Sequence, residues 1–219
     1  MAERKRPRRT RERILETSLV LFNRFGEPHI TTADIADEMS ISPGNLYYHF
    51  RNKDQIIGEL YGQLEASLAP LFAEPDGRAA DIEDLWLLLH LLFERMWAYR
   101  FFYRDLIELT TRNRRIAVRF ADLTLKGQAT VVLLCRGMLQ AGTMRANERE
   151  LAALAQNVVI VATYWMSFQR TTHPNVTEAG PDETGLSLDR AAYQVLALLA
   201  PFAVGESRQL IERLGERYM

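Results

Sequence analysis

The stretch ISPGNLYYHFRNKD, residues 41 to 54, sets Ser-Pro-Gly among residues that otherwise read as helical. Ser42 suits a helix N-cap, and Pro43 suits the first helical position, where a missing N–H costs nothing. Asn52 repeats the signal, with Gln55 three positions on as a capping-box partner. Two helices therefore start in close succession. The first N–H groups of a helix have no internal partner and point outward with partial positive charge. Beside them lie Arg51, Lys53 and the phenols of Tyr47 and Tyr48, a combination suited to phosphate oxygens.

Upstream, Thr31 and Thr32 begin a short helix holding Ile35, Ala36 and Met39, with Asp34 as a capping-box partner for Thr31. A short helix, a turn of about four residues and a second short helix form a helix-turn-helix. Ile35, Ala36, Leu46 and Phe50 then face inward. They meet the apolar stripe of an earlier helix, Thr10 to Phe25, which stops at Gly26. Ser42, Pro43, Gly44, Asn45 and Tyr48 are left outside. In this motif the second helix enters the major groove and reads base edges from its N-terminal end. Gly44 permits close backbone approach, and Asn45 can both donate to and accept from a base.

Residues 11–60 resemble the DNA-binding domain of TetR/AcrR-type transcriptional regulators, on the segments RERILETSLVLFNRFG and TTADIADEMSISPGNLYYHFRNKDQII. The resemblance implies an all-α homodimer. A three-helix DNA-reading head (1–55) would precede a larger helical domain for effector binding and dimerisation (56–219), linked by the fourth helix. It also implies roles. Thr32 would contact phosphate; Ser42, Pro43, Gly44 and Asn45 would lie at the groove. Tyr47, Tyr48 and His49 would touch phosphates or bases, and Lys53 would hold the DNA backbone. Residues 99–120 and TYWMSFQ (163–169) are similar to C-terminal segments of a subgroup of that family, which bears on architecture and not on an inducer.

The remaining pattern is helical, with no period-2 alternation to suggest a strand. Leu60, Leu64 and Leu68 continue the fourth helix until Pro70 kinks or ends it. EPDGRAAD (74–81) reads as a loop and a soft domain boundary. Residues 82–99 are apolar round most of a helix, which predicts deep burial. One short helix is expected over 101–109 and long ones over 113–141 and 148–170. A polar loop covers 172–187, and a last helical region is bent or split by Pro201 and Gly205.

The chain of 219 residues carries a net charge of −1, unevenly spread. Arg4, Lys5, Arg6, Arg8, Arg9, Arg11 and Arg13 are opposed only by Glu3 and Glu12 in the same stretch. This basic arm would be disordered in free solution and would add counterion-release affinity for DNA. The apolar run 85–93 is broken by His90 and too short to span a bilayer, and no apolar stretch follows the basic N-terminus as in a signal peptide. Cys135 stands alone. No membrane partner and a reducing cytoplasm are expected.

Leu151, Leu154, Val158, Val161, Trp165 and Phe168 repeat at the spacing of a helix–helix seam. Intramolecular core would give the same periodicity. A two-fold operator needs two heads, which favours a dimer interface, with Val195, Leu199 and Phe202 of the last helical region as partners. Trp86, His90, Trp97, Phe101, Phe102, Tyr103, Gln128, Trp165 and Phe168 form the candidate pocket for an apolar or amphipathic small-molecule effector, against a reading as ordinary core. His29, His49, His90 and His173 lack metal-ligand spacing, and no catalytic constellation stands out, so neither a metal, a cofactor nor an enzyme is expected. Two other functions are compatible with the pattern: a helical small-molecule binder without operator binding, and an enzyme in the helical body.

Overall fold

The computed structural model describes residues 6–73, 81–172 and 188–217. Among these the chain is helical throughout, and its one bridge, Met144 with Ala203, stands outside any strand. The helices are α1 (Arg6–Phe25), α2 (Thr32–Glu38), α3 (Pro43–His49), α4 (Lys53–Leu68), α5 (Ile82–Ala98) and α6 (Arg100–Arg104). There follow α7 (Leu106–Arg112), α8 (Arg114–Gln140), α9 (Glu148–Thr172), α10 (Leu188–Leu199) and α11 (Glu206–Arg217). Two compact units emerge: Met1–Ala66 with Tyr99–Val118, and Ser67–Ala98 with Arg119–Met219. The division drawn from the sequence after residue 55 differs from this one. The first unit keeps most of α4 and takes in a later stretch of chain.

In the first unit, α1 starts at Arg6 instead of Thr10, so the expected disordered arm is helical from that residue. Residues 1–5 lie outside the described residues. Arg11 is turned inward: its guanidinium lies 4.7 Å from the Phe50 ring centroid and pairs with Glu59. Ile14, Phe22, Ile35, Leu46, Phe50, Ile57, Leu60 and Tyr61 are fully buried. Phe101 and Phe102 complete this core, with ring centroids 5.2 Å from Phe22 and 5.3 Å from Tyr61 respectively. Such ring pairs add directional attraction to their large buried area. The expected single helix over 101–109 is split at Asp105, whose backbone leaves the helical region (φ −106°, ψ 20°). Its carboxylate accepts the Glu27 N–H at 3.2 Å.

In the second unit, α5 buries Ile82, Leu85, Leu89, Phe93 and Met96, a single stripe, while Leu87 is exposed. Burial round most of the circumference was expected; the helix is instead amphipathic, covered on one side. α10 packs against α5 and α9, and α11 against α5 and α10. The turns at the ends of α8 and α10 are tied by Arg145 N–H to Phe202 O at 2.8 Å and Val204 N–H to Thr143 O at 3.0 Å. Gly205 adopts left-handed backbone (φ 59°) where the last helical region splits. Pro70 does end α4, which passes at Leu68 into a 3-10 turn over Ala69–Phe72. Of the loops expected over 74–81 and 172–187, residues 74–80 and 173–187 lie outside the described residues, and Thr172 is the last residue of α9.

The seam expected on α9 needs correction. Leu151, Leu154 and Val158 are buried within the protomer, as are Val195 and Leu199 on α10, because α9 and α10 pack on each other. Val161 and Phe202 are half-buried. The face of α9 left open carries Ile160, Tyr164 and Phe168, 46%, 45% and 55% exposed. By length and composition α9 is apolar enough to cross a membrane, and 28% of its most apolar stretch is buried inside the protein.

Candidate nucleic-acid interface

The expected helix starts are built as the sequence indicated. The Thr31 hydroxyl accepts the Asp34 N–H at 3.2 Å, and Asp34 accepts the Thr31 N–H at 2.7 Å, a reciprocal capping box. Those bonds from the Thr31 hydroxyl and N–H hold the Asp34 carboxyl below its ordinary pKa. The Ser42 hydroxyl accepts the Asn45 N–H at 3.2 Å. Asn52 caps α4 through the Gln55 N–H at 2.9 Å, while the Gln55 amide oxygen reaches one residue further back, to the Arg51 N–H at 2.9 Å. Between α2 and α3 the chain turns at Ser40 in the left-handed region (φ 54°). The Ile41 N–H bonds Ala36 O and the Ser40 N–H bonds Asp37 O, both at 3.0 Å, which is a Schellman closure.

This turn seats Leu46 and Phe50 in the core and leaves Ser42, Pro43, Gly44, Asn45, Tyr47 and Tyr48 exposed. Gly44 is informative. A Cβ there would meet only the Ser42 hydroxyl, at 3.9 Å, so nothing inside the protein requires a glycine. Tyr48 is 79% exposed and packs edge-on to His49 at 5.1 Å. Tyr47 is half exposed, with its hydroxyl 3.1 Å from that of Thr32. One short helix thus offers hydroxyls, an amide and an open backbone on one surface, with Arg9, Arg13 and Arg51 also exposed in the same unit.

Lys53 stands differently from its expected role. Its ammonium donates to Glu27 O at 3.0 Å and Ile30 O at 2.9 Å, and pairs with the Glu27 carboxylate at 2.8 Å. An ammonium has three donors, so all are engaged within the unit. The sequence reading missed Glu27 altogether. It is 0% exposed and also takes Arg112 at 2.9 Å. Burial disfavours the Arg112 guanidinium, but the hydrogen bond and charge of Glu27, with Asp54 and Glu108, outweigh it and raise its pKa. A charged residue in a turn beside proline has no periodicity to reveal its burial.

The candidate effector residues are not brought together in one unit. Phe101, Phe102 and Tyr103 are buried in the first unit and form its core, with burial pushing the Tyr103 phenol up. Trp86, His90 and Trp97 are half-buried on α5, Gln128 on α8 and Trp165 on α9, all in the second unit, where Phe168 is exposed. The Trp86 and His90 rings stack at 4.2 Å, and the Trp165 indole N–H is buried without a partner. The second unit also has an open depression of about 540 Å³ that includes Phe72, Leu125, Lys126, Gln128, Leu133 and Arg136.

Comparison with known proteins agrees with this geometry. Residues 14–60 match a family model described as bacterial regulatory proteins, tetR family, and residues 63–211 match one described as bacterial transcriptional repressor. A TetR-family transcriptional regulator of Marinobacter aquaeolei VT8 is 36% identical with a TM-score of 0.85, covering 95% of this chain and 98% of that one. A Saccharomonospora viridis protein solved in complex with choline shares the fold at 22% identity and a TM-score of 0.65, covering 86% and 94% of the two chains. The "Probable acrEF/envCD operon repressor" of Escherichia coli K12 is 36% identical over 66 residues, 30% of each chain; the chain therefore matches under a third of that curated relative's length.

Proposed function

The chain belongs to the TetR family of bacterial transcriptional regulators, and from that membership we propose that it is a ligand-responsive repressor acting as a homodimer on a two-fold DNA operator. The observation that carries the reading is the outer face of α3. Ser42, Pro43, Gly44 and Asn45 are exposed at a capped helix start, and Gly44 has no internal reason to be glycine. Two such helices would enter successive major grooves about one helical turn apart. Thr32, Tyr47, Tyr48 and His49 would hold phosphates beside them, and Asn45 would read a base edge.

Dimerisation is supported by α9. It is apolar overall, yet Ile160, Tyr164 and Phe168 are left open on the protomer. A contiguous apolar face on a regulator that must read two half-sites fits an isologous contact. The effector is proposed to be an apolar or amphipathic small molecule held in the second unit, where Trp86, His90, Trp97, Gln128 and Trp165 are half-buried. The structural neighbours include proteins solved with choline and with triclosan. The effector would release the operator only through unequal affinity for the bound and free states. The protein is read as cytoplasmic and without catalytic activity.

Selection of duplexes from a random library by the full-length protein tests the reading. A two-fold motif should emerge, with steeply salt-dependent affinity. If no sequence is enriched, the reading is wrong. Native mass spectrometry of freshly purified protein would show dimer mass and any co-purified effector together.

A further inference from the structure

Lys53 is where the sequence expectation and the structure part company. The start of α4 was expected to hold DNA, yet the ammonium is spent on Glu27 and on the carbonyls of Glu27 and Ile30. Glu27 has no access to solvent, whereas Lys53 retains 24% of its side-chain exposure. A buried carboxylate cannot lose its only cation without being stranded in a low-dielectric site. Glu27, however, has two. Arg112, from α7, meets the same carboxylate oxygen at 2.9 Å and is itself 37% exposed. The second oxygen of Glu27 is buried with no hydrogen-bond partner. A guanidinium is a planar fork that can engage both oxygens of a carboxylate, whereas an ammonium is a point charge on a flexible stem.

We propose that Glu27 is a docking post for Lys53 and that Arg112 is the positioning residue that lets Lys53 leave it for a DNA phosphate. On release, Arg112 takes the carboxylate in bidentate fashion, so Glu27 stays neutralised while Lys53 swings to the duplex. Asp54 at 3.7 Å and Glu108 at 3.9 Å keep the guanidinium beside the site. Arg112 lies on the segment of the first unit that immediately precedes the chain's entry into the second at Arg119. Any shift of α7 that withdraws Arg112 therefore returns Lys53 to Glu27 and removes a phosphate contact. The inference rests on the DNA-binding function proposed above.

The test uses the full-length protein and a duplex selected by the wild type. Each phosphate contact contributes about 0.9 to the slope of log affinity against log salt. Arg112→Gln should shallow that slope by about one per head, although Lys53 is intact. Arg112→Lys should shallow it as well, because an ammonium cannot take both oxygens of the Glu27 carboxylate. Glu27→Gln combined with Arg112→Gln should restore the wild-type slope, because without the carboxylate's charge only the carbonyls of Glu27 and Ile30 hold the ammonium, more weakly than a phosphate does. A purely structural Arg112 predicts no such restoration, and an unchanged slope in Arg112→Gln overturns the proposal. A second readout needs no variant of the network: the Lys53 ammonium nitrogen resonance of the wild type should move on adding duplex, and a resonance that stays put also overturns it. A wild type that binds no duplex would sink the function itself, a result distinct from either.

Discussion

The hydroxyls of Thr32 and Tyr47 lie 3.1 Å apart, joining the first residue of α2 to the exposed side of α3. This bond bridges the two helices on their outer, exposed side. Tyr47→Phe should leave thermal stability almost unchanged, since both groups are exposed and a net hydrogen bond contributes about 1 kcal/mol. Affinity should fall about fivefold for every duplex alike, because phosphate-facing hydroxyls carry no sequence information. Fluorescence anisotropy on selected and scrambled duplexes measures this; equal affinity of variant and wild type would remove Tyr47 from the interface.

Asn45 should behave in the opposite way. A bidentate contact to a base discriminates by about 1–3 kcal/mol against the wrong pair. Asn45→Ala should therefore change which sequences a random library yields. Uniform weakening across all sequences would assign Asn45 to the DNA backbone instead.

Ser40 holds left-handed backbone at the turn between α2 and α3 (φ 54°). That conformation costs an L-residue about 1–2 kcal/mol, part of which glycine gives back through its larger unfolded-state entropy. Ser40→Gly should stabilise the protein by roughly 0.5–1 kcal/mol. The urea midpoint should rise with its slope unchanged. A lower midpoint would mean that the serine side chain contributes more than its backbone strain costs.

On α9 the buried and exposed faces should respond to different assays. Leu154→Ala, at a side chain 3% exposed, should cost about 2–5 kcal/mol of protomer stability. Ile160→Glu, at 46% exposed, should leave helix content intact and halve the mass in sedimentation. Retention of dimer mass in Ile160→Glu would move the interface elsewhere.

Cys135 is fully buried, and that burial pushes its thiol from 9.0 up to about 11. Because the folded pKa lies above the unfolded one, its contribution to stability is complete below about pH 9 and is lost as pH rises toward 11. Alkylation at pH 8 should accordingly follow global unfolding, accelerating with urea in step with loss of helix signal. Rapid labelling of the native protein would place the thiol at the surface.

The head was legible because its signals are local. Thr31 with Asp34, Ser42 with Pro43, and Asn52 with Gln55 each act within one helical turn, and all three caps form. Leu46 and Phe50 were readable as core from their spacing against the outward residues. What the chain order hides is partnership across distance. Leu154 and Val158 have a periodicity that any helix–helix contact would satisfy, and only packing shows that α10 covers them. Phe101 and Phe102 were grouped with Trp86, Trp97 and Trp165 as one aromatic cluster, yet they pair with Phe22 and Tyr61. Glu27 was invisible, since its two cations come from Lys53 and Arg112, far along the chain.

The composition of the first unit from Met1–Ala66 and Tyr99–Val118 has a consequence for synthesis. A ribosome delivers residues in order, at roughly 5–20 per second. After α4 emerges, several seconds of translation pass before Phe101 and Phe102 arrive to close over Phe22 and Tyr61. During that interval the nascent recognition helix exists on an unfinished core. The DNA-reading part is thus not a detachable cassette: a gene cut after α4 would encode all three helices of the motif and still lack the ring pairs that seat them.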